Sequence, residues 1–430
     1  MSLYRMLMLS SAVAAVAVPA VANANAFYLQ EQSVRGAGRA FSGEGADTGA
    51  ASLWWNPAAI AGITNRSVVL GATGIIPKGD VSDVATRIIR PGQAPASVGG
   101  NRVSSDPINF GIVPNGAVAV PLTDRLAVGL AVTSPFSFTT NYEDNSWARY
   151  TADKTKLRTI DIQPSIAFAP TDWLRLGGAL NVEYSDATLS NALPNLSPLQ
   201  ADGQQTLKGD GWDLGWTAGA QMHNEIVTVG VSYKSRIKHK LDGNITTTGL
   251  LGPLAAQNRS IDAGASFSTP WQLIMSARVN ATDALTLNGQ IVRMGWSEFD
   301  AIRLGAPVNA AIPENYRNTW TFAGGVDYAV SPDWTLRAGV QHAQTPTRTG
   351  ERDARVPDSN RWIYATGTSY QLTPAFSVDL SASYVDFKTA TIDRTTAAYA
   401  GTAVQTPILV SGTLTGAHAI VLGVGGRLTF

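Results

Sequence analysis

The last fifteen residues of the chain, GAHAIVLGVGGRLTF at 416–430, alternate between two kinds of side chain. An extended strand would place Ile420, Leu422, Val424, Leu428 and Phe430 on one face and Ala419, Val421, Gly423, Gly425, Arg427 and Thr429 on the other. After the N-terminal leader, no helical pattern is long enough to cover the apolar face with a second layer. The pattern therefore predicts an amphipathic strand whose apolar face meets lipid.

The same alternation recurs from residue 66 onward in strands that short turns join in pairs. These turns lie at Thr123-Asp124, Thr171-Asp172, Asn224-Glu225, Thr282-Asp283, Pro332-Asp333 and Thr373-Pro374. Six turns, with the first and last strands added, give fourteen strands, and an even number closes without a free edge. The strands are predicted near 66–76, 110–121, 125–138, 157–169, 173–186, 210–222, 225–240, 263–279, 284–299, 317–330, 333–345, 361–372, 375–388 and 416–430. We therefore predict an all-β fold, a transmembrane antiparallel β-barrel of about 14 strands over residues 66–430.

The C-terminal strand also resembles the last strand of bacterial outer-membrane β-barrels, in which a final Phe is part of the assembly signal. Phe430 ends this chain in the same way. The resemblance implies a place in the bacterial outer membrane. It also implies the barrel assembly machinery, outer-membrane lipid and lipopolysaccharide as partners. We expect the barrel to act as a monomer.

The alternation assigns a face to each strand residue. Leu126, Val128, Leu130 and Val132 are expected to face lipid, and the small residues between them to face the lumen. The same rule points these charged and amide side chains inward: Arg175, Asn181, Glu183, Lys234, Asp327, Arg337, Asp379 and Arg427. Aromatic residues directly after short turns indicate a periplasmic girdle, at Trp173, Trp334 and Phe376.

Long polar segments on the opposite side of the barrel are predicted to be extracellular loops. They cover 77–109, 139–156, 187–209, 241–262, 300–316, 346–360 and 389–415. Two of them carry Leu-rich patches, SNALPNLSPLQADG and TTTGLLGPLAAQN. These patches either pack the loops on one another or capture a hydrophobic ligand.

The N-terminus has the three parts of a secretory signal peptide, with Arg5, a short apolar run broken by Pro19, and a small-residue cleavage site. We predict a signal peptide over residues 1–24, with cleavage after Ala24 or Ala26. No later apolar run is long enough for a membrane-spanning helix. An exported helical membrane protein is therefore excluded.

Charge and cysteine content exclude several classes of partner. The chain has 32 Lys and Arg against 32 Asp and Glu, so no net field favours nucleic acid. It has no cysteine, which excludes disulfides and thiolate metal sites. None of its 4 histidines has the spacing of a metal motif. We expect no metal, no other cofactor and no nucleic-acid partner.

Residues 25–65 do not alternate and are rich in Gly and Ala, with a sharp break at Asn56-Pro57. Two linked motifs lie here, GAGRAFSGEGA from Gly36 to Ala46 and Asn56-Pro57-Ala58. Within the first motif the residues of interest are Gly36, Gly38, Arg39, Gly43, Glu44 and Gly45. The segment resembles the N-terminal hatch of FadL-type outer-membrane transporters. The resemblance implies a hatch that plugs the barrel lumen, and passive uptake of long-chain fatty acids or of aromatic or aliphatic hydrocarbons.

The resemblance also implies a ligand contact at Phe27, because family members carry a Phe at this distance before the first hatch motif. The alternative is that Phe27 only anchors the hatch to the wall. Among the inward cations, Arg175, Lys234 and Arg337 are candidates to bind a ligand carboxylate. Alternatively they pair with acidic side chains of the lumen. Asn56-Pro57-Ala58 is expected to be structural, because the Asn side chain can bond backbone groups exposed at the proline break.

Strand three contains Ser134-Pro135 at a level where it should still cross the membrane. Proline cannot donate to the ladder, so a gap or bulge is expected there. In the family that this chain resembles, a kink in the third strand opens the wall sideways and lets an apolar substrate leave into the bilayer. Pro114 and Pro164 lie in the two neighbouring strands. Ordinary bulges near the barrel rim are the alternative explanation.

Two other functions are weighed against uptake of hydrophobic molecules. A general or adhesive barrel, plugged by its N-terminus, would share the same fold. A barrel enzyme would need an outward-facing Ser and His on neighbouring strands, and His342 is the one histidine near a Ser/Thr-rich flank. No motif supports that pair, so we expect no catalytic residue.

Overall fold

The structure, a computed structural model, describes residues 26–430. The predicted signal peptide at residues 1–24 lies outside the described residues. No helix in the described range is long and apolar enough to cross a membrane.

Fourteen strands form the wall, and several of them are interrupted. In chain order, strands 1 to 14 are Ser67–Asp83; Gly111–Pro121; Leu126–Thr133 with Ser137–Asn141; Lys154–Thr171; Leu174–Leu193; Gly203–His223; Val227–Lys234 with Ile237–Thr248; Arg259–Asp262 with Ala265–Thr269 and Gln272–Asn280; Leu285–Met294 with Ala301–Leu304; Ala310–Pro313 with Thr319–Ser331; Trp334–Ala343; Arg361–Thr373; Phe376–Phe387 with Ala390–Ile392; and Gly412–Thr429. Five shorter strands lie in the extracellular loops, at Arg87–Ile88, Ala96–Ser97, Val103–Ser105, Thr395–Ala398 and Thr406–Leu409.

The sheet closes through strand 1. Strand 1 pairs antiparallel with strand 14 from Ser67 opposite Thr429, and on its other edge with strand 2 from Ser67 opposite Ala119. Every other wall strand pairs with its neighbour in sequence. The predicted all-β fold, a closed antiparallel barrel of fourteen strands, is confirmed.

The face assignment of the last strand is confirmed by its exposure. Leu422 and Val424 are 51% and 57% exposed, whereas Ala419 and Val421, which belong to the opposite face, are 0% and 4% exposed. An apolar outer face is what a lipid environment requires, because a membrane barrel is apolar outside and polar or plugged inside. Trp173, after a short turn, is 54% exposed, as expected for an aromatic girdle.

Several predicted loops are too wide. Strand 1 continues to Asp83 and strand 5 to Leu193, and strand 6 begins at Gly203 instead of 210. The reason is that apolar alternation marks only the part of a strand that faces lipid. Above the membrane both faces are polar or covered by loops, so the alternation fades while the backbone ladder continues.

Strand 9 is interrupted where the alternation predicts that it continues, and it resumes at Ala301. It stops at Met294 instead of continuing to 299, and a 3₁₀ turn at Trp296–Glu298 follows. Strand 7 is likewise broken after Lys234, because residues 235 and 236 leave the ladder. Both interruptions lie inside patterns that alternate acceptably, so periodicity alone does not reveal them.

The extracellular loops form a packed cap. Leu193, Leu250 and Leu254 are buried in it together with Trp147 and Ile88. Most of the Leu-rich patches therefore pack loop against loop. Two leucines stay at the surface, because Leu199 is 95% exposed and Leu251 is 45% exposed.

The N-terminal segment fills the lumen as short helical turns: Val34–Ala37, Glu44–Ala46, Ala50–Ser52 and Pro57–Ile60. Leu53, Trp55 and Ile60 are fully buried against the wall. Wall glycines make this packing possible. A Cβ on Gly177 would lie 2.4 Å from the Ala58 nitrogen, and one on Gly230 would lie 2.0 Å from the Gly45 carbonyl oxygen. Backbone contact at this distance requires glycine.

Candidate functional site

The first hatch motif is organised around Arg39, which is 1% exposed. Its guanidinium contacts Glu44, lies 2.6 Å from Asp47, and reaches strand 10 at Asp327 over 3.1 Å. Asp327 also accepts from Arg278 of strand 8 at 2.9 Å. One buried arginine therefore joins two hatch carboxylates to the wall.

Asn56 joins the second hatch motif to the first. Its amide nitrogen donates to the Gly45 carbonyl at 2.8 Å and to the Ala220 carbonyl of strand 6 at 3.2 Å. Its amide oxygen accepts from the Ala58 nitrogen at 3.0 Å and caps the turn Pro57–Ile60. Pro57 occupies the first position of that turn, where its missing N–H costs nothing.

The strand 3 ladder breaks at Ser134-Pro135, as the proline position predicts. Below the break Thr133 lies opposite Asp161 of strand 4, and above it Ser137 lies opposite Arg158. Strand 3 therefore has three residues in the interval where strand 4 has two, which is a bulge of one residue. Strands 2 and 4 continue through Pro114 and Pro164 without a break.

The same break separates strand 3 from strand 2. Their pairing ends where Gly116 lies opposite Val132. Above that pair, Gly111–Asn115 of strand 2 pairs with strand 1 only. The wall thus has an interruption between strands 2 and 3 at the level of Pro135.

The start of the hatch covers this interruption from inside. The Leu29 nitrogen donates to the Pro135 carbonyl at 2.8 Å, and the Ser137 nitrogen donates to the Phe27 carbonyl at 2.9 Å. The Gln32 side chain completes the contact by accepting from the Ser134 nitrogen at 3.1 Å and donating to its carbonyl at 3.0 Å. Residues 27–32 therefore satisfy backbone groups that the bulge would leave unpaired.

Phe27 lies in a cage of aromatic rings and is 2% exposed. Trp296 and Phe299 are the nearest, with ring centroids 4.9 Å and 5.1 Å from that of Phe27. Trp296 lies in the 3₁₀ turn that interrupts strand 9, and Phe299 directly follows that turn. Phe136, within the strand 3 bulge, and Phe138, just after it, lie at 6.1 Å and 6.2 Å.

An apolar cavity of about 660 Å³ adjoins Phe27, and we name it the main cavity. Its apolar lining includes Phe138, Leu157, Leu207, Leu241, Phe267 and Phe299. Its lining is mostly apolar and aromatic with a few polar groups, which is the usual character of a pocket for a hydrophobic ligand. The cavity lies beneath the extracellular cap and beside the strand 3 bulge.

Three charged residues line the main cavity, Lys156, Glu314 and Arg355. Lys156 already pairs with Asp186 at 2.9 Å. The Arg355 guanidinium donates to the Asn191 side-chain oxygen at 3.3 Å and to the Ser190 carbonyl at 3.4 Å. Within residues 26–430 no carboxylate forms an ion pair with it. Arg355 can therefore accept a carboxylate from a ligand.

Glu314 is buried beside Arg394, whose guanidinium lies 3.5 Å away. Burial raises the pKa of Glu314 to about 7, and the positive charge of Arg394 offsets part of that effect. Glu314 therefore loses its proton at a higher pH than an exposed glutamate does. Its charge state will affect any anion that binds near Arg355.

The three predicted ligand cations lie outside the main cavity. Arg337 pairs with Asp327 at 3.1 Å, Lys234 donates to Gln163 at 3.1 Å, and Arg175 lies near the periplasmic end beside Gly62. The Lys234 ammonium also lies 4.2 Å from the centroid of Trp54, a hatch residue. Of the four predicted ligand contacts, the structure places only Phe27 at the main cavity.

Sequence reasoning missed Trp296, Phe299 and Arg355. The first two follow a strand pattern up to the point where the strand stops, and Arg355 lies in a loop where no periodicity applies. His342, the candidate for an enzyme, packs its ring 4.8 Å from Trp362. Within the described range no group of three or more His, Asp or Glu side chains could hold a metal ion.

Most of the chain matches known proteins. Residues 14–430 match the family described as outer membrane protein transport protein (OMPP1/FadL/TodX). The chain is 26% identical over 411 residues to the long-chain fatty acid transport protein of Escherichia coli O6:H1, covering 87% of this chain and 90% of that protein. It is also 26% identical over 417 residues to outer membrane protein P1 of Haemophilus influenzae, covering 85% and 87%.

Among solved structures, the crystal structure of a Pseudomonas aeruginosa FadL homologue superposes with a TM-score of 0.82 at 25% identity, over 94% of this chain and 99% of that one. The Ralstonia pickettii toluene transporter TbuX superposes with a TM-score of 0.64 over 92% and 98%. At 17% identity, the second likeness shows the fold alone.

Proposed function

Because the chain belongs to the outer membrane protein transport protein family (OMPP1/FadL/TodX), we propose that it takes up hydrophobic small molecules passively across the bacterial outer membrane. The observation that carries the proposal is the main cavity, an aromatic-lined space of about 660 Å³ between the loop cap and a plugged lumen. Relatives named for long-chain fatty acid and toluene transport support long-chain fatty acids or aromatic or aliphatic hydrocarbons as substrates.

The driving force is the transfer of apolar surface out of water. Burial yields about 25 cal/mol per Å² of apolar surface, so a hydrophobic solute binds the cavity without an energy source. A water-filled pore offers no such gain. The bilayer, which is equally apolar, then accepts the solute from the cavity.

The proposed exit lies at Ser134-Pro135. Residues 27–32 cover the strand 3 bulge through two backbone hydrogen bonds and the Gln32 side chain. Each such bond contributes about 0.5–1.5 kcal/mol net, so a small shift of the hatch can open and reclose the wall. The solute would then leave from beside Phe27 between strands 2 and 3.

For a fatty acid, Arg355 is the proposed carboxylate partner. A guanidinium can bind a carboxylate by donating two parallel hydrogen bonds to it. Each of the three predicted cations, Arg175, Lys234 and Arg337, lies outside the main cavity. A ligand role for them stays a prediction. Monomeric action and contacts with lipopolysaccharide and the assembly machinery also stay predictions.

A general or adhesive barrel is the second candidate, and a barrel enzyme is the third. The family consists of outer-membrane transport proteins, and this favours neither the general or adhesive barrel nor the enzyme. We propose no catalytic residue and no cofactor.

The proposal is tested by extracting the purified protein with organic solvent and identifying the released molecules by mass spectrometry. A transporter with the main cavity is expected to release about one hydrophobic molecule per chain. If the extract holds nothing beyond bulk membrane lipid, and added oleate and toluene do not bind to the purified protein, the proposed function is wrong.

Replacing Phe27 with alanine is expected to weaken binding of oleate about tenfold to a hundredfold. Removing a buried aromatic ring loses about 1.5–3 kcal/mol of contact with an apolar ligand. Isothermal titration of the purified protein measures this change. The matched control is Phe376→Ala, which removes a lipid-facing ring and is expected to leave the affinity unchanged.

Binding of a long-chain carboxylate is expected to weaken about threefold to tenfold between pH 6 and pH 8. Below pH 7 the Glu314 carboxyl is mostly neutral, because burial raises its pKa to about 7. As the pH rises through that value, Glu314 becomes negative and repels the ligand. Titrations at several pH values measure the slope.

In the Glu314→Gln variant the affinity for the carboxylate is expected to become independent of pH. The exposed control Glu225→Gln should keep the pH dependence. A long-chain alcohol should bind equally at both pH values. An unchanged pH dependence of the affinity in Glu314→Gln would show that Glu314 does not cause it.

A further inference from the structure

Strand 2 changes partners along its length. Residues 111–119 pair with strand 1, but higher up Asn109 donates to the Thr139 carbonyl of strand 3 at 3.1 Å, and Asn141 of strand 3 donates to the Pro107 carbonyl at 2.8 Å. This leaves a second interruption of the wall, between strands 1 and 2. It lies above the interruption between strands 2 and 3, and the proposed exit does not pass through it.

The interruption is bounded by two ladder segments. Below it the last pair is Ile75 with Gly111, and above it pairing resumes at Asp80 with Ser105. Each lip carries a proline, Pro77 on strand 1 and Pro107 before strand 2. A proline has no N–H to donate, so the gap cannot close into a regular ladder.

A bulge widens the same place on the other edge of strand 1. The register with strand 14 shifts between Lys78 and Asp80, so that Gly79 lies opposite two residues, Gly416 and Ala417. A Cβ on Gly79 would lie 2.8 Å from the Ala417 Cα, so only glycine fits at this bulge.

A narrow cleft crosses the wall at this point, and we name it the side cavity. Its lining includes lumen-facing residues, Pro77, Leu414 and Ala417, together with the outward-facing Lys78 and His418. Because both faces of the sheet contribute, the cavity reaches from the outer surface into the barrel. It is largely apolar inside, with Ala26 and Phe138 at its inner end.

The side cavity and the main cavity share two lining residues, Phe138 and Val356. Phe138 also lies 6.2 Å from Phe27, ring centre to ring centre. An apolar chain that enters from the side would therefore end against the wall of the main cavity.

The outer mouth lies at the upper edge of the lipid-facing band. Below it the apolar side chains Ile76, Phe110 and Ile420 are 36%, 57% and 45% exposed. At its own level the ring of His418 stacks on Tyr384 at 5.8 Å, as interfacial aromatic residues do. The mouth is thus placed where amphiphiles in the outer leaflet keep their polar heads.

One ion pair covers the mouth. The Lys78 ammonium donates to Asp106 at 2.6 Å, and the Gly79 nitrogen donates to the other oxygen of the same carboxylate at 2.9 Å. The Lys78 side chain is 53% exposed and the Asp106 side chain is 39% exposed. An ammonium has three donors, and the bond to Asp106 uses one, so Lys78 can also bind an anionic head group.

We infer that the side cavity is a second binding site, for a single-chain amphiphile with a carboxylate head that enters from the outer leaflet. The head binds Lys78 beside His418, and the chain lies between Pro77 and Ala417 and points toward Phe138. This inference rests on the proposed function, because the chain then reaches the main cavity. It adds a lateral point of entry to the proposed exit at Ser134-Pro135.

Photolabelling tests the inference. The full-length protein in outer-membrane-like bilayers is exposed to two long-chain fatty acids, one with a diazirine near its carboxyl end and one with a diazirine near the other end of its chain. The labelled peptides are identified by mass spectrometry. We expect labels near 76–81 and 414–418 as well as at the main cavity around 296–299. If wild-type protein shows no label near 76–81 or 414–418, the side cavity is not a site.

Ala417→Phe fills the side cavity and is expected to reduce labelling there at least about fivefold, with labelling at 296–299 retained. The control Ala382→Phe adds the same ring on the outer face of strand 13 and should change neither. Equal labelling of the side cavity in Ala417→Phe and wild type overturns the inference. If neither the wild type nor any variant is labelled at 296–299, the proposed function is contradicted instead.

The head-group assignment has its own test. Lys78→Met is expected to reduce side-cavity labelling by the fatty acid about threefold or more, and to leave labelling by the matching long-chain alcohol unchanged. A variant that lowers both labels equally, or neither, overturns the role of Lys78.

Discussion

Replacing Arg39 with methionine is expected to release the hatch and make the outer membrane permeable to small sugars. The substitution leaves Glu44, Asp47 and Asp327 without the guanidinium that joins them. Asp47 keeps Arg35 and Arg278 as partners and Asp327 keeps Arg278 and Arg337, but Glu44 loses its ion-pair partner. Removing one partner of a buried ion pair costs about 3–5 kcal/mol, because the remaining charge, here that of Glu44, stays buried without compensation. The barrel wall keeps its own ladder, so the loss is confined to the hatch.

Sugar influx in cells that express the variant measures the open fraction, and limited proteolysis of residues near Arg39 reports hatch release directly. The matched control is Arg303→Met, which breaks an ion pair with Asp300 whose side chains are 54% and 51% exposed. An exposed pair contributes about 0–1 kcal/mol, so this control should not leak. If Arg39→Met cells remain as tight as wild type, Arg39 is not what holds the plug.

Deleting Pro135 is expected to lower the uptake of a hydrophobic substrate by at least about tenfold while the barrel still folds. The bulge gives strand 3 one more residue than strand 4 between the pairs at Thr133 and Ser137. Removing one residue restores equal numbers, and the ladder can run without a break. In the wild type the bulge shifts the inward-outward alternation of strand 3 by one residue, and Phe138 faces the lumen. The deletion removes the bulge and one residue together, so Phe138 still faces the lumen.

Uptake of radiolabelled oleate by cells, together with heat-modifiable mobility of the barrel, separates transport from folding. Deletion of Ala94, in an exposed part of the first extracellular loop, is the matched control and should change neither. Normal uptake through a Pro135-deleted wall with a continuous third strand would show that the exit lies elsewhere. The side cavity between strands 1 and 2 would then be the alternative opening.

The strand number and faces could be predicted because lipid imposes a period of two on every residue that crosses the membrane. Val424 and Val421 differ in exposure, 57% against 4%, for that reason alone. The break at Ser134-Pro135 was predictable because a missing N–H is a property of the residue itself. Such features are local, and sequence carries them.

The site was only partly predictable, because it depends on contacts between distant segments. Lys234 and Arg337 do face inward, but the hatch and wall carboxylates around them decide what they bind. Trp296 reaches Phe27 only because strand 9 stops at Met294, and no periodic signal marks that stop. Arg355 reaches the main cavity from a loop, where no periodicity fixes a direction.

The central claim is that a plugged barrel passes hydrophobic solutes and retains polar ones. It is tested most directly by measuring the uptake of radiolabelled oleate and the influx of a small sugar in the same cells, in a Gram-negative host that lacks its own fatty acid transporter. The account predicts that the chain raises oleate uptake at least about tenfold and leaves sugar influx at the level of the host alone. Faster sugar influx without faster oleate uptake would contradict it and would identify the chain as a general pore.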